Sequence, residues 1–323
     1  MNTTQTAAHI GGKENCAQKK GQPHHRASHS TPLYCNAEAA FLDAMHTAGC
    51  APHDAREVVA DGVLHRYRVN GDKASTRNGW FILFGDGIPS GAFGSWKHGV
   101  TENWSARGFN SLTPGERDEQ RRRIEAAREA AQALQRQKHM CAADRAAHIW
   151  NRAKPARTDH GYLVRKGIAP GFARQLNDVL VLKIQDMNGG ITGLQFIDSG
   201  GGKRMLSGSK KQGSFILVQR RDTGRLLVCE GFATAVSLAA MFPSDSVISA
   251  IDSGNLQHVA VGFSKRSPDG ELVVCADHDE VGMKSGRAAA LAAGGKLMLP
   301  NFPADAPDEL TDFNDLQQWR ARK

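Results

Sequence analysis

Leu226-Leu227-Val228-Cys229-Glu230-Gly231 and, further on, Leu272-Val273-Val274-Cys275-Ala276-Asp277-His278-Asp279 decide the fold of this chain. Each is a short apolar run that stops abruptly at a carboxylate. A short apolar run bounded in this way reads as a buried strand. Parallel α/β sheets bind ligands at the carboxyl ends of their strands. Two such ends bring at least three carboxylates, Glu230, Asp277 and Asp279, towards one crevice. Asp312 and Asp315, in Thr311-Asp312-Phe313-Asn314-Asp315-Leu316, are candidates to join them. Crowded carboxylates repel unless neutralised, and a hard divalent cation with oxygen ligands does that. Mg²⁺ is the usual choice when the other partner is a phosphate.

Around these runs the pattern alternates. Strands are expected at 226–229, 247–251, 272–276 and 296–299, and helices at 233–241 and 283–293. Strand, helix, strand with short links predicts a parallel sheet. Gly231 and Gly282 let each strand end turn tightly into a helix N-terminus, which favours phosphate. No G-x-G-x-x-G follows a strand, and no G-x-x-x-x-G-K-[ST] loop occurs, so neither a dinucleotide fold nor a built-in ATPase motor is indicated.

Upstream, strands are expected at 179–184, 191–197 and 214–219. Asp186-Met187-Asn188-Gly189-Gly190 reads as a hairpin turn. Ser199-Gly200-Gly201-Gly202-Lys203-Arg204 reads as a second turn carrying two cations. Lys210 and Lys211 add two more, and Lys284 follows the second acidic pair. Such cations grip a phosphate backbone or are solvated loop residues. Residues 115–150 are rich in Ala, Arg, Glu and Gln and predict a long helix.

Residues 36–113 form a small α+β module, with helices expected at 37–48 and 57–64 and strands at 65–69, 80–84 and 92–96. It holds Trp80, Trp96 and Trp104, interleaved with Arg66, Arg68, Lys73, Arg77, Lys97 and Arg107. Aromatics beside cations suit stacking on bases; they equally suit the core of a small sheet. Residues 1–35 are polar and almost free of large apolar side chains, so a disordered tail is expected, its histidines at 24, 25 and 29 included.

The 323 residues carry 41 Lys+Arg against 33 Asp+Glu, a net charge of +8. A basic surface around an acidic site suits a polyanion such as nucleic acid. The six cysteines show no C-x₂-C spacing, so no zinc ribbon or disulfide framework is indicated, and Cys229 and Cys275 read as buried free thiols. No apolar run reaches the length of a membrane span, and the N-terminus lacks an apolar signal core. A cytoplasmic protein without a membrane partner is expected.

Cys229-Glu230-Gly231-Phe232-Ala233-Thr234-Ala235 and Ala276-Asp277-His278-Asp279 resemble the two signatures of the toprim domain. Gly161-Tyr162-Leu163-Val164-Arg165-Lys166-Gly167-Ile168, Gly193-Leu194-Gln195-Phe196-Ile197, Lys203-Arg204, Ser253-Gly254-Asn255-Leu256 and Asp312-Phe313-Asn314-Asp315 are similar to toprim primases of plasmids and phages. The likeness is good over 155–320 and looser before it. It implies a Rossmann-like toprim sheet over 224–323, a β-rich primase-type subdomain over 158–223, a helical connector over 114–157 and the N-terminal module.

The resemblance further implies a primase-like nucleotidyltransferase making short RNA primers from ribonucleotides on single-stranded DNA, for a mobile element. Glu230 would be the acid, base or metal ligand, and Asp277 and Asp279 would hold Mg²⁺ or Mn²⁺, with Asp312 and Asp315 completing the cluster. Lys203, Arg204, Lys210, Lys211, Lys284, Trp80, Trp96 and Lys97 would meet nucleic acid or nucleotide. A replicative helicase is the expected partner in trans. A toprim nuclease and a non-catalytic DNA-binding accessory protein are the competing readings. A topoisomerase is disfavoured, because only Tyr34, Tyr67 and Tyr162 could serve as its tyrosine.

Overall fold

The computed structural model describes residues 36–107, 112–222 and 224–323. The tail expected at 1–35 lies outside them. The chain forms two compact units, Met1–Ala127 and Arg128–Lys323.

In the first unit a four-stranded antiparallel sheet is built from β1 (His65–Tyr67), β2 (Gly79–Phe84), β3 (Ser90–Ser95) and β4 (Val100–Ser105), in that order. Every residue of β2 and β3 is buried, because both faces are covered. On one face, Phe41 and Met45 of α1 (Ala37–Thr47) pack with Phe81, Leu83 and Phe93. On the other, Trp80, Ile82 and Phe84 pack with Ile124, in the first turns of α2 (Pro114–Arg152). The helix expected at 57–64 does not form. Only a single 3₁₀ turn, Ala55–Glu57, is present. Beyond it the Asp61 carboxylate accepts the Val63 N–H, and Gly62 takes φ +73°, a turn that breaks any helix. β4 is absent from the sequence reading, being an edge strand of mostly polar, partly exposed residues.

The second unit contains two sheets. The antiparallel sheet runs β5 (Lys154–Pro155), β6 (Arg174–Leu176), β7 (Val179–Gln185), β8 (Ile191–Asp198), β9 (Lys203–Met205). The short helix α3 (Gly161–Lys166) connects β5 to β6. The β7–β8 turn is as expected: the Asp186 carboxylate accepts from the N–H groups of Asn188 and Gly190. The next turn, however, closes at Gly202, where Asp198 Oδ1 accepts the Gly202 N–H. Lys203 and Arg204 therefore stand on strand β9 instead of in the loop. Successive strand residues point to opposite faces, which separates these two cations.

The parallel sheet has the order β10-β12-β11-β13-β14, built from β10 (Ile216–Gln219), β11 (Leu226–Cys229), β12 (Ser246–Ser249), β13 (Leu272–Cys275) and β14 (Lys296–Met298). β10 is the antiparallel edge; the other four run parallel. Helices α4 (Phe232–Met241) and α7 (Phe313–Ala321) cover one face, where Ala235, Leu238 and Phe313 meet Leu227, Cys229 and Cys275. Helices α5 (Ser253–Arg266) and α6 (Glu280–Ala293) cover the other, against Val228, Ile248 and Val274. Burial on both faces explains why β11 and β13 read as unbroken apolar runs.

The two sheets share a core. Leu180, Leu182 and Ile184 on one face of β7 pack against Phe232, Ala233 and Val236 of α4. Val181 on the opposite face packs under Ala146, Ile149 and Trp150 of α2. Cys229 and Cys275 are buried and free, and burial pushes both thiols up, so neither is a reactive thiolate. Among the described residues no helix is long and apolar enough to cross a membrane.

Candidate active site

Strand register sets the site. Cys229 pairs in parallel with Cys275 on one side and with Ser249 on the other. The residues leaving the three strands therefore emerge side by side at one edge of the sheet. They carry Glu230 after β11, Asp252 after β12, and Asp277 and Asp279 after β13. Asp252 is the carboxylate the sequence reading misses. Two residues, Ala250 and Ile251, separate it from its strand, and Ile251 takes φ +80°. A β-branched residue in that region is strained, and such strain collects at functional sites.

A fourth element delivers the last two acids. Asp312 caps α7, and its carboxylate accepts the Asp315 N–H (2.8 Å); the Asp315 carboxylate in turn accepts from the N–H groups of Thr311 and Asp312. This capping box fixes the helix start. The helix is docked by Phe313, 3% exposed, and by fully buried Asn314. The Asn314 amide donates to the Lys166 carbonyl (2.7 Å) and to Ser237 Oγ (3.0 Å). The N–H of His278 donates to the Thr311 carbonyl (2.7 Å). Through these bonds the Asp312 end of α7 is tied to the Asp277–Asp279 loop.

The electrostatics record the convergence. The Asp277 carboxyl is pushed up to about 7, first by burial and then by Asp312, Glu230, Asp279 and Asp315. Its Oδ1 is buried with no hydrogen-bond partner. Burial raises Glu230 as well, with Asp252 and Asp279 adding to the rise and the Ser253 N–H and Lys203 opposing it. Burial also raises Asp312, against the pull of the Asp315 N–H and Lys166. Cations sit at the rim: Lys203 faces Glu230, and Lys211 pairs with Asp252 at 2.6 Å. Buried Asn255 orders the loop that follows Lys211: its side chain accepts the Gly213 N–H and donates to the Ser214 and Ala250 carbonyls.

Not every expected residue joins the cluster. Asp279 contributes its charge but spends one oxygen capping α6, accepting the Gly282 N–H at 2.6 Å. Arg204 lies over the Phe196 ring at 4.4 Å. Lys210 and Lys284 are exposed and make no ion pair with the acids. The remaining three expected residues belong to the first unit. Trp80 is 5% exposed and packs in the core, so it is not available to a base. Lys97 is paired with Asp72. Trp96 is 55% exposed, with the Arg66 guanidinium 4.1 Å over its ring. Tyr162 is a further residue to which the sequence reading assigns no role at the site. Its hydroxyl is buried without a partner, and burial and Asp312 push it up to about 12.

The donor set around Asp277 consists of carboxylate oxygens, the chemistry that Mg²⁺ and Mn²⁺ prefer. An unpartnered buried carboxylate oxygen is what a cation would satisfy. The cluster therefore fits a divalent ion in its chemistry. In its geometry the cluster is open: among the described residues no three acidic, His or Cys side chains surround one point as ligands.

Residues 225–322 match the Toprim domain family. The chain is similar to two Escherichia coli proteins named DNA primase TraC. Identity is 30% over 289 residues and 29% over 297, covering 84% and 85% of this chain. The chain spans about a quarter of the length of the first (27%) and a fifth of the second (20%). Among solved structures, the primase fragment of the bacteriophage T7 primase-helicase protein superposes with a TM-score of 0.38 at 14% identity, covering 54% of this chain and 73% of that one. The DnaG primase catalytic domain bound to ssDNA gives 0.39 at 14%, covering 59% and 79%.

Proposed function

Taking residues 225–322 as a toprim domain, we propose that the second unit is a primase-type nucleotidyltransferase. It uses a divalent metal ion to make short RNA primers from ribonucleotides on single-stranded DNA. The observation that carries this reading is the meeting of Glu230, Asp252, Asp277 and Asp312 at one sheet edge, with one Asp277 oxygen buried and unpartnered. Similarity to DNA primase TraC over most of the chain supports it.

Asp277 would hold Mg²⁺ or Mn²⁺, with Asp279, Asp312 and Asp315 as the further carboxylates near it. A divalent ion held there neutralises phosphate charge and lowers the pKa of the attacking hydroxyl. Glu230, whose raised pKa makes it a better base than an ordinary carboxylate, takes the proton of the 3′-hydroxyl. The new P–O bond forms as the bond to pyrophosphate breaks. Lys203 and Lys211 flank the acids and neutralise the incoming triphosphate, and Arg204, Lys210 and Lys284 contact the strand backbone. In the first unit Trp96, stiffened by Arg66, stacks on a template base. A replicative helicase in trans opens the duplex, in the setting of a mobile element.

The test is incubation with single-stranded DNA, labelled ribonucleotides and Mg²⁺ or Mn²⁺. Short labelled oligonucleotides that vanish in EDTA are expected. Cut template without product would transfer the site to phosphodiester hydrolysis; neither outcome, with DNA binding intact, would leave an accessory protein.

A further inference from the structure

The same three strands that end at the acidic cluster begin at a second cleft. Leu226, Ser246 and Leu272, the first residues of β11, β12 and β13, line a cavity of about 560 Å³. Four residues at about 3.3 Å each put the two strand edges about 13 Å apart. The cleft is therefore at the opposite edge of the sheet from Glu230, Asp252 and Asp277. Its volume is within the range of small-molecule pockets.

Its floor is apolar and aromatic. Phe215 and Phe263 meet edge to face with centroids 4.9 Å apart, and Met187 of the β7–β8 turn adds to the wall. Its rim is cationic: Arg220, Arg221, Arg225 and Arg266 all line it, with Glu271 the one acidic lining residue among those described. Two of these charges are already satisfied. Arg225 is paired with Asp245 at 2.7 Å, and Glu271 with Lys296 at 2.8 Å.

The other three guanidiniums have no carboxylate partner among the described residues. Arg221 donates to the Pro243 and Arg220 carbonyls and to Gln219 Oε1. Arg266 donates to Asn188 Oδ1 (3.1 Å). Both are thereby oriented by neutral groups while keeping their charge. Asp186, the nearest hairpin acid, is turned into its own loop, and Asp222 and Asp269 are exposed beside the cleft.

We infer that this cleft binds a nucleotide, its phosphates on Arg220, Arg221 and Arg266 and its base against the partly exposed Phe263 ring, which buried Phe215 backs from the core. Guanidinium forks match phosphate oxygens in geometry and charge. Aromatic side chains accept any base face. Three like charges held around one concavity are an electrostatic cost that a polyanionic ligand relieves. The site is separate from the catalytic reading and stands whether or not the acidic cluster makes primers. The nucleotide is either free or part of a strand, since the recognition chemistry is the same.

The test is fluorescence anisotropy of the full chain in EDTA, with a labelled nucleoside triphosphate in one arm and a labelled short oligothymidylate in the other. EDTA keeps divalent ions away from the acidic cluster. Saturable binding is expected, measured on a Lys203→Ala/Lys211→Ala/Trp96→Ala background so that the cations and ring assigned to the acidic site and the first unit do not contribute. It should weaken on the order of tenfold or more for each guanidinium removed in Arg220→Ala and Arg266→Ala. Both arginines are exposed, and circular dichroism checks that the variants fold. Binding of the triphosphate assigns a free nucleotide; binding of the oligonucleotide alone, lost in the double variant, assigns a strand. The proposal is overturned if neither probe binds, if the double arginine variant binds as tightly as the parent, or if an acidic peptide displaces the probe as well as unlabelled nucleotide does.

Discussion

Asn314 holds the acidic cluster together from outside it, and replacing it by alanine measures how much. Its side chain is fully buried. It donates 2.7 Å to the Lys166 carbonyl and 3.0 Å to Ser237 Oγ, and accepts 2.9 Å from Gln318 Nε2. Ser237 is also buried and can reorient its hydroxyl, but the Lys166 carbonyl at the end of α3 loses its partner outright. Each buried hydrogen bond contributes about 1 kcal/mol net, and an orphaned buried acceptor costs about 1–3 kcal/mol. Asn314→Ala should therefore lower unfolding free energy by about 2–4 kcal/mol, read by urea denaturation with tryptophan fluorescence, for which Trp319 on the same helix is a local probe. Gln318→Ala, at a partly exposed position, should cost about 1 kcal/mol or less. Because the same helix carries Asp312 to Asp277, Asn314→Ala should also reduce primer synthesis under conditions where the protein stays folded. A loss of stability below about 0.5 kcal/mol would refute the claim that this amide docks α7.

Three further outcomes follow from other contacts. A Cβ at Gly282 would lie 2.6 Å from the Asp277 carbonyl and 2.9 Å from its Cβ, so Gly282→Ala should cost about 1–3 kcal/mol and disturb the metal site; a thermal midpoint equal to the parent's would contradict this packing. The Arg225 guanidinium holds the Asp245 carboxyl below its usual range. A depressed carboxylate stabilises the fold fully above its unfolded pKa, and that contribution is lost as pH falls through it towards the folded value. Asp245→Asn should thus be less stable at neutral pH and lose less on acidification below about pH 4, and parallel melting curves against pH would argue that the pair contributes nothing. Trp96→Ala should weaken single-stranded DNA binding by about 1–3 kcal/mol and abolish any quenching of emission by DNA, whereas quenching that survives the substitution would assign it to another tryptophan.

The parts of the fold that are legible in the sequence are those buried on both faces. β11 and β13 are unbroken apolar runs, so their ends and the carboxylates Glu230 and Asp277 stand out. β12 begins and ends with serine, and Ala250 and Ile251 intervene before Asp252; the turn at Ile251 that returns Asp252 to the site is a tertiary feature. α5 opens Ser253-Gly254-Asn255 and contains Gly262, a poor local signal for helix. Asp312 and Asp315 read as acids but not as the two halves of a capping box, the local reason for their spacing. The glycine run before Lys203 masks β9. Trp80 and Trp96 are alike in sequence, yet one is a core residue of a strand covered on both faces and the other follows a strand end; periodicity does not separate a strand covered on two sides from a surface beside it.

Primer synthesis by Asp277→Asn beside the parent protein tests the central claim most directly. Both would be given single-stranded DNA, labelled ribonucleotides and Mg²⁺ or Mn²⁺, with folding checked by circular dichroism. The convergence of carboxylates on an unpartnered Asp277 oxygen predicts short metal-dependent oligonucleotides from the parent and loss of that product in the folded variant. Undiminished synthesis by Asp277→Asn would contradict the assignment of catalysis to this sheet edge.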